Sequence, residues 1–204
     1  MPCNSGYKIM SPQECREVLI SNAELLMGLK GYKAMSINEL LILSQVEKRS
    51  FSRLYPSKAA LLKDVLKKYA AGYSQAIDEI LASPGAADER ILRYFESWKN
   101  GVNAGIRYDT CLIVSLAPEV PELGYDILTL FRNIIESIIS RLAVVIRTGK
   151  KEGSVISLLD SLSLSKEIFH MWLGSALTAR ITGKIRGFDS TLKITRSLIY
   201  AQCY

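Results

Sequence analysis

Lys48, Arg49 and Arg53 stand in the stretch SQVEKRSFSRLYPSKAALL, residues 44 to 62, where they alternate with Phe51, Leu54 and Tyr55. A short segment that is cationic on one side and apolar on the other can lie on a protein core and still offer its charges to a polyanion. From Lys30 to Lys68 the chain holds nine Lys or Arg against three Asp or Glu, an excess of +6 that equals the net charge of the whole chain. The rest of the chain sums to zero, so the positive charge is concentrated around this segment.

Other chemistry is sparse. Cys111 reads either as a small buried hydrophobe or as a thiol that senses oxidants or electrophiles. The second role needs a nearby cation to depress its pKa, and Arg107 and Arg180 are the candidates. Phe95, Trp98, Tyr108, Met171 and Trp172 read individually as helical core, and the lone His170 as a core or pocket histidine with a satisfied hydrogen bond. Arg180 lies eight residues after Trp172, on a similar face of one helix, where it can meet an anionic group or solvent. There is no Gly-rich phosphate loop, no nucleophile elbow and no His–Cys pair at short spacing, so nothing supports catalysis. Four scattered cysteines (Cys3, Cys15, Cys111 and Cys203) and a single histidine argue against a disulfide framework, a metal site or a cofactor, and point to a cytoplasmic protein. The longest run free of charged residues is twelve, Ile168 to Ala179, short of the ~20 needed to span a bilayer. The N-terminus lacks the apolar stretch of a signal peptide.

The elements that must position these residues read as helices throughout. Ser11-Pro12-Gln13-Glu14 has capping-box spacing with proline at the first helical position, and predicts a helix ending near Gly31. Ser36-Ile37-Asn38-Glu39 repeats the pattern and opens a short helix to Leu43. A second short helix spans Val46 to Tyr55 and is closed by Pro56. Ser57 caps a long helix to about Ala82. Further helices are expected around Ile91 to Val102, from Glu122 to about Arg147 with GKKEGS as the break, from Ser165 to Thr182 and from Ser190 to Cys203. Thr110 to Leu116 is a short apolar run that pattern alone leaves open between strand and helix, although Pro118 and Pro121 follow it and it lacks a pairing partner. The expected fold class is all-α, with eight or nine helices.

Two short helices joined by a turn around Ser44-Gln45-Val46 form a helix-turn-helix, whose second helix enters the major groove. Here the sequence resembles the DNA-binding head of the TetR-family transcriptional regulators, over about residues 15 to 66. Gly31-Tyr32 matches the Gly-aromatic pair that ends the family's first helix, Ser36 its second-helix cap, and Tyr55-Pro56-Ser57-Lys58 the close of its recognition helix. Cys111-Leu112-Ile113, with Glu119 downstream, is similar to a Cys-Leu segment of some members. Four positions depart from the family pattern. Gln45 replaces the turn glycine, Glu47 the Ser or Thr cap, Arg49 a glycine, and Ser52 the tyrosine that typically touches phosphate.

The resemblance implies a head at 1–56, a connecting helix at 57–82 and a ligand-binding and dimerisation domain at 83–204. It implies DNA contacts from Ser36, Glu47, Lys48, Arg49, Ser50, Ser52, Arg53, Tyr55 and Lys58. Tyr55 also suits a core role, pinning the recognition helix. Glu47 repels phosphate but can accept from cytosine N4, and Arg49 and Arg53 can replace the missing phosphate anchors. Lys58 at a helix N-terminus opposes the macrodipole, which suggests a phosphate partner. Phe95, Trp98, Tyr108, Cys111, His170, Met171, Trp172 and Arg180 are the implied effector site, suited to a small and largely apolar ligand. Pairing through the last two helices, with Leu173, Leu177, Ile181, Leu192 and Leu198 as the seam, would give a homodimer reading a near-palindromic operator of double-stranded DNA. The expected function is a repressor released from DNA by its ligand. Two rivals remain at this stage: a TetR-like protein that has lost DNA binding and acts on a protein partner, favoured by Gln45, Glu47 and Ser52, and a helical enzyme or small-molecule carrier.

Overall fold

The computed structural model describes residues 10–103 and 112–200. Among them are nine α-helices, one 3-10 turn at Val120–Glu122 and no strand: α1 Pro12–Lys30, α2 Ile37–Ser44, α3 Lys48–Leu54, α4 Lys58–Leu81, α5 Ala87–Asn103, α6 Leu112–Leu116, α7 Tyr125–Glu152, α8 Ser161–Thr182 and α9 Arg186–Ile199. The fold is all-α. Thr110 to Leu116, ambiguous in sequence, is helical over its described part. The chain divides into two compact units, Met1–Ala70 with Asp109–Phe131, and Ala71–Tyr108 with Arg132–Tyr204. The sequence-based boundaries group 109–131 with the C-terminal part instead.

In the first unit, α1 starts at the capping box read from the sequence: Glu14 N–H donates to Ser11 Oγ at 3.2 Å and Ser11 N–H to Glu14 Oε2 at 2.7 Å. The second such pattern forms only in part, because the Ser36 hydroxyl caps nothing and Glu39 takes the Lys30 ammonium at 2.6 Å. Helices α2, α3 and α6 all pack on α1. Leu19, Met27, Leu40, Phe51, Leu61, Leu62 and Leu116 bury almost completely there. Each such side chain contributes about 1.5–3 kcal/mol relative to exposure. Ser57 caps α4 as expected, accepting from Ala60 N–H at 3.1 Å.

In the second unit, α9 packs against α8 and α5. Trp172 Nε1 donates to Thr195 Oγ1 at 2.8 Å across the α8–α9 contact, which satisfies a polar group that burial would otherwise penalise. Three helix boundaries differ from the sequence reading. α7 runs through GKKE to Glu152 rather than stopping near Arg147, and Gly153 at φ 83 ends it. α8 begins four residues early, because Asp160 Oδ1 accepts from the N–H groups of Leu162 and Ser163. α9 begins at Arg186, not Ser190, and Ile185 offers no capping side chain.

Candidate nucleic-acid interface

α2 ends and α3 begins within three residues. Gln45 makes that turn in the left-handed region, at φ 52 and ψ 39, and its N–H donates to Ile42 and Leu41 carbonyls. The conformation that glycine commonly serves is therefore adopted here by glutamine. Val46 is buried and fixes the turn to the core. On α3, Phe51 turns inward and packs at a tilt 5.7 Å from the Tyr55 ring. With Phe51 inward, Lys48, Arg49, Ser52 and Arg53 face outward and are exposed, as is Glu47 at the helix start, while Ser50 is half-buried. Ser52 Oγ donates back to Lys48 carbonyl at 3.0 Å. Glu47 makes no capping hydrogen bond, which leaves its carboxylate available.

Tyr55 is core: it is 3% exposed, its hydroxyl donates to Asp64 at 3.3 Å, and the Arg16 guanidinium lies 5.2 Å over its ring. Burial, with the Asp64 charge second, pushes its phenol up to about 12. Its burial fits the pinning role. Lys58 too is engaged within the protein. Its ammonium donates to the Met35 carbonyl at 2.6 Å and the Lys33 carbonyl at 3.3 Å, and sits 4.4 Å over the Tyr32 ring. Burial lowers its pKa, with the Glu119 charge opposing. The macrodipole conflict is offset inside the protein by these partners. Ser36 is exposed at the α2 start.

The charge excess becomes selective once partners are assigned. Lys30 pairs with Glu39, Lys33 with Glu122, Lys63 with Asp126 at 2.6 Å and Lys67 with Asp64 at 3.8 Å. Lys68 donates to Ser21 at 2.7 Å and lies 4.0 Å from Glu24, and Lys58 is held by carbonyls. Such surface pairs add little stability, about 0–1 kcal/mol each. Their consequence is electrostatic: among the described residues, the cations of this region left without an ion pair or hydrogen-bonded side chain are Lys48, Arg49 and Arg53, all on the exposed face of α3.

Of the implied effector residues, three form an aromatic cluster among the described residues. Phe95 and Trp172 are fully buried and stack at 4.8 Å, Trp98 meets Trp172 edge-on at 6.3 Å and Phe95 at a tilt at 6.1 Å, and Phe169 and Phe188 close the cluster. Met171 and Arg180 are half-buried. His170 is exposed, which corrects the buried-histidine reading: it projects from the outer side of α8, where a histidine needs no internal partner. Tyr108 and Cys111 lie outside the described residues. A cleft of about 430 Å³ occurs in this unit, lined by Glu79, Ile80, Ser83, Arg93, Glu96, Ser97 and Asn100 of α4, α5 and the turn between them. Sequence reasoning missed it because polar helix-surface residues at these spacings form no motif. Among the described residues no helix is long and apolar enough to cross a membrane, and no group of His, Cys, Asp or Glu is placed to hold a metal ion.

No protein-family model matches the chain. The HTH-type transcriptional repressor NemR of Escherichia coli K12 is 27% identical over 187 residues, spanning 91% of this chain and 94% of its own. The crystal structure of E. coli NemR in its reduced form has a TM-score of 0.86 with this chain at 26% identity, covering 93% of this chain and 99% of that one. A putative transcriptional regulator of the TetR/AcrR family has a TM-score of 0.83, also at 26% identity, covering 92% and 99%. These relatives are described as regulators of transcription, not as enzymes.

Proposed function

We propose that this chain, a TetR-family protein in sequence and in fold, is a ligand-responsive DNA-binding regulator of transcription that acts as a repressor. The observation that carries the reading is the selective exposure of charge on α3. Six of the nine cations between Lys30 and Lys68 are engaged within the protein, and Lys48, Arg49 and Arg53 are not. A merely solvated basic surface has no reason to leave its unpaired charges on the second helix of a helix-turn-helix. In this reading Arg49 and Arg53 meet phosphate or base edges, Lys48 and Ser52 lie beside them, and Glu47 selects cytosine over other bases at the helix start.

The working form is a two-fold pair joined through α8 and α9. Leu177 and Ile181 on α8 and Ile194 on α9 are exposed apolar residues, as a seam between copies requires. Pairing would let two heads read a near-palindromic operator with half-sites ~34–36 Å apart. The effector is small and largely apolar, and it binds in the second unit near Phe95, Trp98 and Trp172. The ligand shifts DNA affinity only to the extent that it favours one arrangement of the protein over another. The protein acts in the cytoplasm, where operator DNA is accessible.

The test is a gel shift with fragments of genomic DNA over a range of salt. Wild-type protein is expected to retain a fragment with log K falling steeply against log salt, by about 0.9 per phosphate neutralised. The double variant Arg49→Ala/Arg53→Ala is expected to lose affinity and to flatten that slope by about two. Absence of retention by the wild type at every salt concentration would favour a regulator that acts on a protein partner.

A further inference from the structure

Glu119 follows α6 in the chain and reaches a turn 87 residues earlier. Its Oε1 accepts the Tyr32 N–H at 2.9 Å and its Oε2 the Lys33 N–H at 2.6 Å. Both oxygens of one carboxylate are thereby spent on consecutive backbone groups of the turn between α1 and α2. Room for this approach comes from Gly31: at φ 88 it has a conformation L side chains rarely adopt, and a Cβ there would collide with Glu119 Oε1. Two further links hold the same segment, an ion pair between Lys33 and Glu122, and Ser115 Oγ donating to the Gly28 carbonyl at 2.7 Å. The turn passes the constraint on. The Tyr32 ring carries the Lys58 ammonium, which in turn ties down the carbonyls of Lys33 and Met35 from the first residue of α4. α2 begins two residues after Met35, and α3 lies between α2 and α4 in the chain.

We propose that Glu119 is a positioning residue for DNA binding: its carboxylate fixes the α1–α2 turn, and through it the helices that flank α3. The segment that carries α6 thereby sets whether the head holds its DNA-reading posture. The inference rests on the DNA-binding reading above. It makes a prediction whose sign opposes simple electrostatics. Replacing Glu119 by Gln removes a negative charge from a cationic head, and charge alone then tightens DNA binding. Loss of positioning weakens it.

Glu119→Gln and Glu119→Asp are therefore compared with wild type for DNA affinity across salt, and for amide hydrogen exchange at Tyr32 and Lys33. Asp keeps the charge but is shorter by one methylene, so it cannot hold both N–H groups. Both variants are expected to bind about tenfold or more weakly, the loss expected for a charge-assisted hydrogen-bond pair. Both are also expected to exchange faster at the two amides. The slope of log K against log salt stays unchanged in both, because Glu119 touches no phosphate. Gly31→Ala, which intrudes on the same carboxylate, is expected to weaken binding less than additively with Glu119→Gln. Gln binding as tightly as wild type or tighter overturns the proposal, as does wild-type affinity in Asp with its amides exchanging fast. Circular-dichroism melts check that the variants fold. If Gln unfolds at assay temperature, Asp alone decides. Failure of wild-type protein to bind DNA removes the regulator reading itself, a result distinct from failure of the Glu119 variants.

Discussion

Gln45 holds a left-handed backbone at φ 52 with a side chain that gains nothing visible from it. For an L residue that conformation costs roughly 1–2 kcal/mol, part of which glycine returns as lost freedom in the unfolded chain. Gln45→Gly is therefore expected to stabilise the protein by about 0.5–1 kcal/mol in urea unfolding, without altering α3. This strain was legible from the sequence, because the resemblance supplied the expected glycine. Glu24 shows the opposite case. Nothing in the sequence marks it, yet burial raises its carboxyl pKa and the Lys68 charge opposes only in part. The folded state then binds more protons than the unfolded state as pH rises from about 4.5, so this group makes stability fall through that window. Glu24→Gln is expected to raise the melting temperature at pH 7, with the advantage vanishing below pH ~4.5, while Lys68 keeps its bond to Ser21. The partners of the basic residues were equally hidden. Lys33 meets Glu122 and Lys63 meets Asp126 across 89 and 63 residues, distances that composition does not register. The internal partners of Lys58 were hidden for the same reason, since carbonyls carry no side-chain signature.

At the scale of elements, capping chemistry was readable and glycine was ambiguous. Ser11 and Ser57 cap α1 and α4 where the pattern puts them. Gly149 looked like the end of α7, but it lies inside the helix because its missing side chain leaves room: an added Cβ would press on Val155 and Ala87. The stop is Gly153, whose positive φ ends the helix. The two glycines differ in what surrounds them, which one sequence does not state. Gly149→Ala favours the helix locally but overpacks this contact, and is expected to cost about 1–3 kcal/mol by chemical denaturation. The same substitution at an open helical position such as Gly174 has nothing to collide with, and serves as the control. Asp160 caps α8 so that it begins four residues ahead of the start expected at Ser165, and at the α9 start Ile185 supplies no capping side chain.

For the molecule as a whole, helix periodicity gave the all-α class, while the grouping of helices into units depends on long-range contacts. Ser115 with Gly28 and Glu119 with Tyr32 draw the α6 segment to the head, against the boundary read from the sequence. The aromatic group was legible as core, but the stacking of its rings was not, because ring stacking has no signature in residue spacing. Pairing is the molecular-scale property most open to test. Ile181 is 75% exposed at the end of α8, and Leu177 lies one turn before it. If α8 and α9 form the seam, Ile181→Glu forces a charge into an apolar contact and is expected to give monomers at micromolar concentration in sedimentation experiments. DNA affinity would fall with it, since a single head reads only one half-site.

Both tryptophans of the chain, Trp98 and Trp172, belong to the aromatic cluster on α5 and α8, and the helix-turn-helix contains none. Intrinsic indole emission therefore watches one unit alone. A head that melted early would leave that signal unchanged, and a single smooth fluorescence transition would be no proof of concerted unfolding unless a reporter placed near α3 lost its signal at the same temperature.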